Sequence, residues 1–439
     1  MKSLVKHVAF MLAMIVAPAV VGAQIGGEAR PIALDDAVRM AQLNQPATVQ
    51  ARNALRTGES SIRQTLLGYL PSLGIGTGAT QRGGERYAEG IKLPTTPNPW
   101  SYSRGLSIGN VMLFDGFQRW NNYKTQQSNL NASEATLVTQ RYNVALNVKT
   151  SYYAVLTARE QEAAALRQLE QAEQQLRVST AKINAGSATR TDSLSGAIAV
   201  GNAKQAILNA QNQLRNANAQ LTRYVATPYT VTAMAADTSD IVPIALDETA
   251  LVGLALEGPA VRQNTAQVNA AQSASKAARA PYMPTLSMSA SYGLTVDNSS
   301  RLQWGASSGN STSFGFNFNY TLFNNYQREA QIVTTRVNLE NSEANLRDQK
   351  FLAQQNLTTF LNNFRTALLT IELNKLQIQA AEENLRVVQQ QYNLGTKQLL
   401  DMLTAQTSLD NARTSLITSR QTARLAKANI ETLIGRDLP

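Results

Sequence analysis

Two hydrophobic patterns divide this chain. The first is helical and very long. Neither glycine nor proline interrupts residues 117–185, 327–394 or 396–434. Within the second run, Leu346, Phe351, Leu357, Leu361, Phe364, Leu368 and Ile371 recur at mixed three- and four-residue steps. Asn, Gln, Thr and Ala fill the remaining faces, as expected of a rod with a helical neighbour on one side and water on the other. An unbroken helix over such a run is about 100 Å long. The second pattern has period two. Phe314, Phe316, Phe318, Tyr320 and Leu322 alternate with Ser313, Gly315, Asn317, Asn319 and Thr321, and Leu73, Ile75, Thr77 and Ala79 alternate with Gly74, Gly76 and Gly78. Alternation of this kind reads as strand, with one face suited to lipid and the other to a wet lumen.

The elements recur in order. Ile32-Ala33-Leu34-Asp35 returns as Ile244-Ala245-Leu246-Asp247, Tyr69-Leu70-Pro71 as Tyr282-Met283-Pro284, and Leu113-Phe114-Asp115-Gly116 as Leu322-Phe323-Asn324-Asn325. A duplication is therefore expected. Residues 24–227 form a first repeat, with a helix, strands over 71–81 and 100–114, and a long helical hairpin. Residues 228–243 join it to a second repeat, 244–439, with strands over 284–297 and 311–323. The fold class is mainly α with a small antiparallel β part: duplicated long helical hairpins plus two β-hairpins. In the opening helix, Asp35 or Asp36 is the expected cap and Pro46 an expected kink.

Each hairpin turns on the same phrase. Gly395 is placed to end its rod in a left-handed C-cap, and Asp401 falls where a carboxylate caps the returning helix. Asn184, Gly186 and Asp192 repeat the spacing of Asn393, Gly395 and Asp401.

The chemistry left to such a chain is narrow. Its 439 residues carry a net charge of +10 and no cysteine, which rules out disulfides, thiol nucleophiles and lipidation at a cysteine. Lys2 and Lys6, an apolar run over Val8–Val16 and the small residues up to Ala23 form an expected signal peptide, 1–23, so the mature chain starts near Gln24 and is exported. The single histidine, His7, departs with it. Without His or Cys there is no imidazole base and no nitrogen or sulfur metal ligand. No catalytic constellation, metal site or cofactor is expected, and no dense basic run suggests nucleic acid. Four strands are too few to close a membrane barrel alone, and open edges in hydrocarbon cost several kcal/mol per unpaired group, so several copies must pool their strands. The competing readings are a soluble sheet capping a rod and a secreted trimeric coiled-coil stalk or adhesin. The stripe Phe314–Phe318 argues against the stalk, which needs no lipid-facing belt.

Taken together, the doubled strand–loop–strand with its long hairpin, the Gly-x5-Asp phrase at both tips and Leu113-Phe114-Asp115-Gly116 resemble the TolC family of outer-membrane efflux proteins over essentially the whole mature chain. The resemblance implies a homotrimer with a twelve-stranded barrel in outer-membrane lipid, continued by an α-helical tunnel across the periplasm. It also implies docking to a periplasmic adaptor and, through it, an inner-membrane pump. By motif, Tyr392 and Lys397 match the family's gate donors, Thr191 and Asp192 their acceptors, and Asp401 one carboxylate of a selectivity ring. Gly186 and Gly395 mark the level at which adaptor tips dock. The second ring carboxylate would fall at Thr404, a departure that implies weaker cation preference or a ring displaced elsewhere. Lys397 stands where the family often has arginine, and keeps the charge without the bidentate geometry.

Overall fold

The computed structural model describes residues 29–81, 87–92, 100–186, 189–234, 244, 247–297 and 309–438. The expected signal peptide, much of the polar segments between paired strands and most of the joining stretch lie outside them. The elements in chain order are β1 (Arg30–Ile32), α1 (Leu34–Asn44), α2 (Pro46–Leu67), β2 (Leu73–Gln81), the two-residue β3 (Tyr87–Ala88) and β4 (Ile91–Lys92), and β5 (Trp100–Phe114). They continue with α3 (Gln118–Asn184), α4 (Arg190–Val225), β6 (Val231–Ala233), α5 (Glu248–Leu256), α6 (Pro259–Ala277), a 3-10 turn (Ala280–Tyr282), β7 (Thr285–Asp297), β8 (Gly309–Asn319), α7 (Gln327–Asn393) and α8 (Leu399–Ile434). The hairpin helices match in length: α3 and α7 have 67 residues each, α4 and α8 have 36 each.

Three expectations are corrected. The opening helix is broken rather than kinked, because Gln45, preceding Pro46, takes ψ 133° and so leaves the helical region that proline disfavours for its neighbour. Its N-cap is Ala33, with no side-chain cap bond. Asp35 and Asp36 lie in the first turn, and Asp36 pairs with Arg39 instead. Strand β8 covers 309–319 rather than 311–323. Its last residue, Asn319, pairs with Thr285, and Pro284 before it has no N–H to extend the ladder, so Tyr320 and Leu322 leave the sheet.

Two compact units divide the chain: Met1–Gln45, Val144–Pro243 and Asn363–Ala428 in one, and Pro46–Asn143, Ile244–Asn362 and Asn429–Pro439 in the other. In the first, β1 and β6 pair in parallel, Arg30 opposite Val231, and α3 holds both strands. The Tyr152 hydroxyl, in a fully buried side chain, donates to Ile32 O at 3.3 Å and accepts the Met234 N–H at 3.2 Å. Arg159 donates to Ala233 O at 2.9 Å and to Thr232 Oγ1 at 3.2 Å. Helix α1 is tied to α4 by Gln45 Nε2, which donates to Arg223 O at 3.0 Å. Helices α7 and α8 are joined by Asn374 Nδ2, which donates to Ser419 Oγ at 3.1 Å in a buried position, and by Arg413 with Glu382 at 2.8 Å.

The second unit carries the antiparallel sheet β2-β5-β7-β8. Paired residues share a face, and the register gathers most apolar residues on one face, which also carries Thr77, Arg104, Asn310 and Thr312. Leu73, Ile108, Ala290 and Phe314 form one rung, and Ile75, Leu106 and Tyr292 fall on the next of the same face. Leu286 and Met288 stand opposite Phe318 and Phe316. On the reverse face, Gly74, Ser107, Ser291 and Ser313 form one rung, and Gly76, Gly105, Gly293 and Ser311 another. The Ser291 and Ser313 hydroxyls are 2.8 Å apart. The apolar face is bare: Phe314, Phe316 and Phe318 are 62–68% exposed and Ile75 89%. Edge strands β2 and β8 each have one side without a partner strand in the described sheet.

Both strand-to-helix corners are built alike. Gly116 and Phe117 take φ of 64° and 65°, and Asn325 and Tyr326 take 55° and 65°. Two successive left-handed residues reverse the chain before each long helix, a conformation that strains a bulky side chain. Arg119 lies 4.5 Å over the Tyr69 ring, and Arg328 lies 4.5 Å over the Tyr282 ring. In the first corner, Asp115 Oδ2 accepts the Arg119 Nε–H at 2.8 Å and its backbone N–H at 3.0 Å. In the second, Arg328 donates to Thr321 O and Leu322 O at 2.9 and 3.1 Å. Its Nε and Asn324 Oδ1 are buried without a hydrogen-bond partner among the described residues.

Candidate functional site

The tips of the helical hairpins carry two left-handed glycines, Gly186 and Gly395. Helix α7 ends in a Schellman turn. Gly395, at φ 78°, donates to Tyr392 O at 3.1 Å, and the Thr396 N–H reaches Gln391 O at 3.0 Å. Helix α3 also ends on a left-handed glycine, Gly186 at φ 73°, with its N–H on Ile183 O at 2.9 Å. A side chain at either glycine would meet nothing within 4 Å, so the backbone angle alone selects glycine there.

The returning helices start alike. Asp192 Oδ2 accepts the Thr189 N–H at 3.0 Å, and Asp401 Oδ2 accepts the Gln398 N–H at 3.2 Å. Each carboxylate thus sits at the third helical position and reaches back to the cap residue, satisfying a donor the helix leaves orphaned.

Tyr392 is buried with Leu399 and Met402, against Leu385, Val388 and Leu403. Its hydroxyl is buried and has no hydrogen-bond partner among the described residues. Burial, and then the charge of Asp192, hold its pKa above the ordinary phenol value. Asp192 is therefore within electrostatic reach of Tyr392, while its Oδ2 is engaged in its own cap. Thr191 is exposed. Lys397 Nζ lies 3.9 Å from Asp401 Oδ2, with both side chains nearly half exposed, and makes no ion pair with Asp192 among the described residues. Thr404, where the family's second ring carboxylate would fall, donates to Leu400 O within its own helix.

One residue at the tip escaped the sequence reading. Lys182, in the last turn of α3, donates to Tyr392 O at 3.0 Å and lies 3.9 Å over the Tyr392 ring. Its only signal in the sequence is a cation four residues before Gly186, where it favours a helix C-terminus.

Behind the tips, α3, α4, α7 and α8 border a half-open cavity of about 620 Å³ lined by amides, among them Gln171, Gln175 and Gln389, and by Asp410. Gln406 Nε2 donates both to Gln171 Oε1 at 2.8 Å and to Asp410 Oδ1 at 3.1 Å. Asp410 Oδ2 is buried without a partner among the described residues. Desolvation pushes this carboxyl above its usual range, against the opposing pull of Gln406 and Arg413.

A chain that carries both an open sheet with one lipophilic and one small, hydroxylic face and paired long helical hairpins has the makings of an outer-membrane channel protein. The comparisons with known proteins agree. The chain belongs to the outer membrane efflux protein family, whose profile matches residues 37–227 and 251–436. It is similar to the outer membrane protein TolC of Escherichia coli K12, at 23% identity over 411 residues that cover 90% of this chain and 81% of that protein. Its fold matches the crystal structure of CusC, with a TM-score of 0.79 at 17% identity over 94% of this chain and 96% of the other. It also matches VceC of Vibrio cholerae, with a TM-score of 0.75 at 17% identity over 92% and 96%. Its place is accordingly the outer membrane, and its role is efflux through a channel.

Proposed function

We propose that this chain forms a homotrimeric conduit that passively carries exported substrates from an inner-membrane pump and a periplasmic adaptor to the exterior. The observation that carries the proposal is the four-stranded sheet with two unpaired edges and a bare apolar face. In lipid such edges are satisfied only by closing a barrel, and three copies supply the twelve strands. The helices then form a tunnel on the periplasmic side. The chain is read as two repeats, 24–227 and 244–439, joined by 228–243, a reading supported by the equal helix lengths and the matching corners. A conduit has no bond to break, so its chemistry is selectivity and gating rather than catalysis. Thr191, Asp192, Tyr392 and Lys397 form the periplasmic gate, Asp401 a selectivity ring, and Gly186 and Gly395 the adaptor-docking level.

Detergent-purified protein in planar bilayers is expected to give discrete conductance steps with cation preference, and Asp401→Asn to lower the cation-over-anion permeability ratio. Absence of steps would remove the conduit. An unmoved reversal potential would leave Asp401 with its capping role alone.

A further inference from the structure

We infer that Lys182 is the latch between the two hairpins: its ammonium, bonded to the Tyr392 carbonyl and lying on that residue's ring, holds the end of α7 against the end of α3. The inference rests on the gate reading above and assigns the closing contact to a different residue.

Three observations lead there. Lys182 belongs to the first hairpin and Tyr392 to the second, so the 3.0 Å bond and the 3.9 Å ring contact cross between them. Lys397, the donor expected from the family motif, is instead directed at Asp401 of its own hairpin and makes no ion pair to the other hairpin among the described residues. The Tyr392 hydroxyl, the expected acceptor-seeking group, has no partner among the described residues, so the residue engages α3 through its carbonyl and its ring.

The electrostatics favour this arrangement. Helices α3 and α7 both end at the tip, and each presents a partial negative charge from its last carbonyls. Two such ends side by side repel, and one ammonium between them relieves both. The Tyr392 carbonyl already accepts the Gly395 N–H at 3.1 Å; its second lone pair takes the lysine. A charged donor strengthens that bond, and the ring face adds a cation–π attraction.

The test measures single-channel conductance of the full-length protein in planar bilayers for Lys182→Met, Lys182→Arg and the pair Tyr392→Phe with Lys397→Ala. Methionine keeps much of the stem and removes the charge. Lys182→Met is expected to raise the open population about tenfold, while Lys182→Arg, which keeps the charge, stays near the parent. Oligomer yield and melting of each variant control for folding, and Lys182→Gln replaces Lys182→Met should the latter not assemble. Parent-like conductance in Lys182→Met, with an opened Tyr392→Phe/Lys397→Ala pair, overturns the latch and leaves the gate. Parent-like conductance in every variant overturns the latch together with the gate it rests on.

Discussion

Asp192 and Asp401 each occupy a position that a helix start would select on its own, since one oxygen of each carboxylate caps the returning helix. Asp410 has no such local reason. It lines the polar cavity with one oxygen unpartnered among the described residues, and desolvation raises its pKa above 3.8. The sign follows from linkage. A folded state that prefers the protonated acid keeps Asp410's contribution below the unfolded pKa and loses it as pH rises through the elevated folded value. Asp410→Asn, neutral throughout, should therefore melt like the parent in acid and at a higher temperature near neutrality. Thermal melts at the two pH values check this, and an equal shift at both would show that charge is not the cause.

At the scale of elements, the two corners offer an internal comparison. Asp115 anchors Arg119, whereas the Oδ1 of its counterpart Asn324 and the Nε of Arg328 both lack partners among the described residues. Asn324→Asp should recreate the missing ion pair and stabilise the protein by about 1.5–3 kcal/mol, the order of one net hydrogen bond to a charged group. Asp115→Asn should destabilise it by a similar amount. Chemical denaturation of the detergent-solubilised protein measures both, and a stabilising Asp115→Asn would contradict the account. The extent of β8 belongs to this scale too. Its alternation continues to Leu322, but its partner strand does not: pairing stops where Pro284 removes the donor.

For the whole molecule, the sorted faces of the sheet make a one-sided prediction. Phe316 stands on the apolar face, and Asn317, its neighbour in the same strand, on the hydroxylic one. Phe316→Arg places a charge where lipid is expected, at about 2–4 kcal/mol per copy near mid-bilayer, whereas Asn317→Arg places it toward water. Outer-membrane fractions should be depleted of the first variant and not of the second. Equal insertion of both would mean that the aromatic stripe does not meet hydrocarbon.

The sequence by itself determined what is local and periodic. The long rods follow from runs without breakers, their ends from Gly186 and Gly395, the four long strands from alternation, and the family from the order in which these recur. These properties belong to a backbone and its nearest neighbours along the chain, so spacing suffices to read them. Contacts between segments far apart in sequence were decided only in the tertiary structure. Lys182 reaches Tyr392 across 210 residues, Arg119 stacks on Tyr69, and Asp410 loses its water inside a cavity drawn from four helices. No periodicity encodes which lysine meets which carbonyl, because that depends on how two rods pack side by side and on which charge their converging ends require.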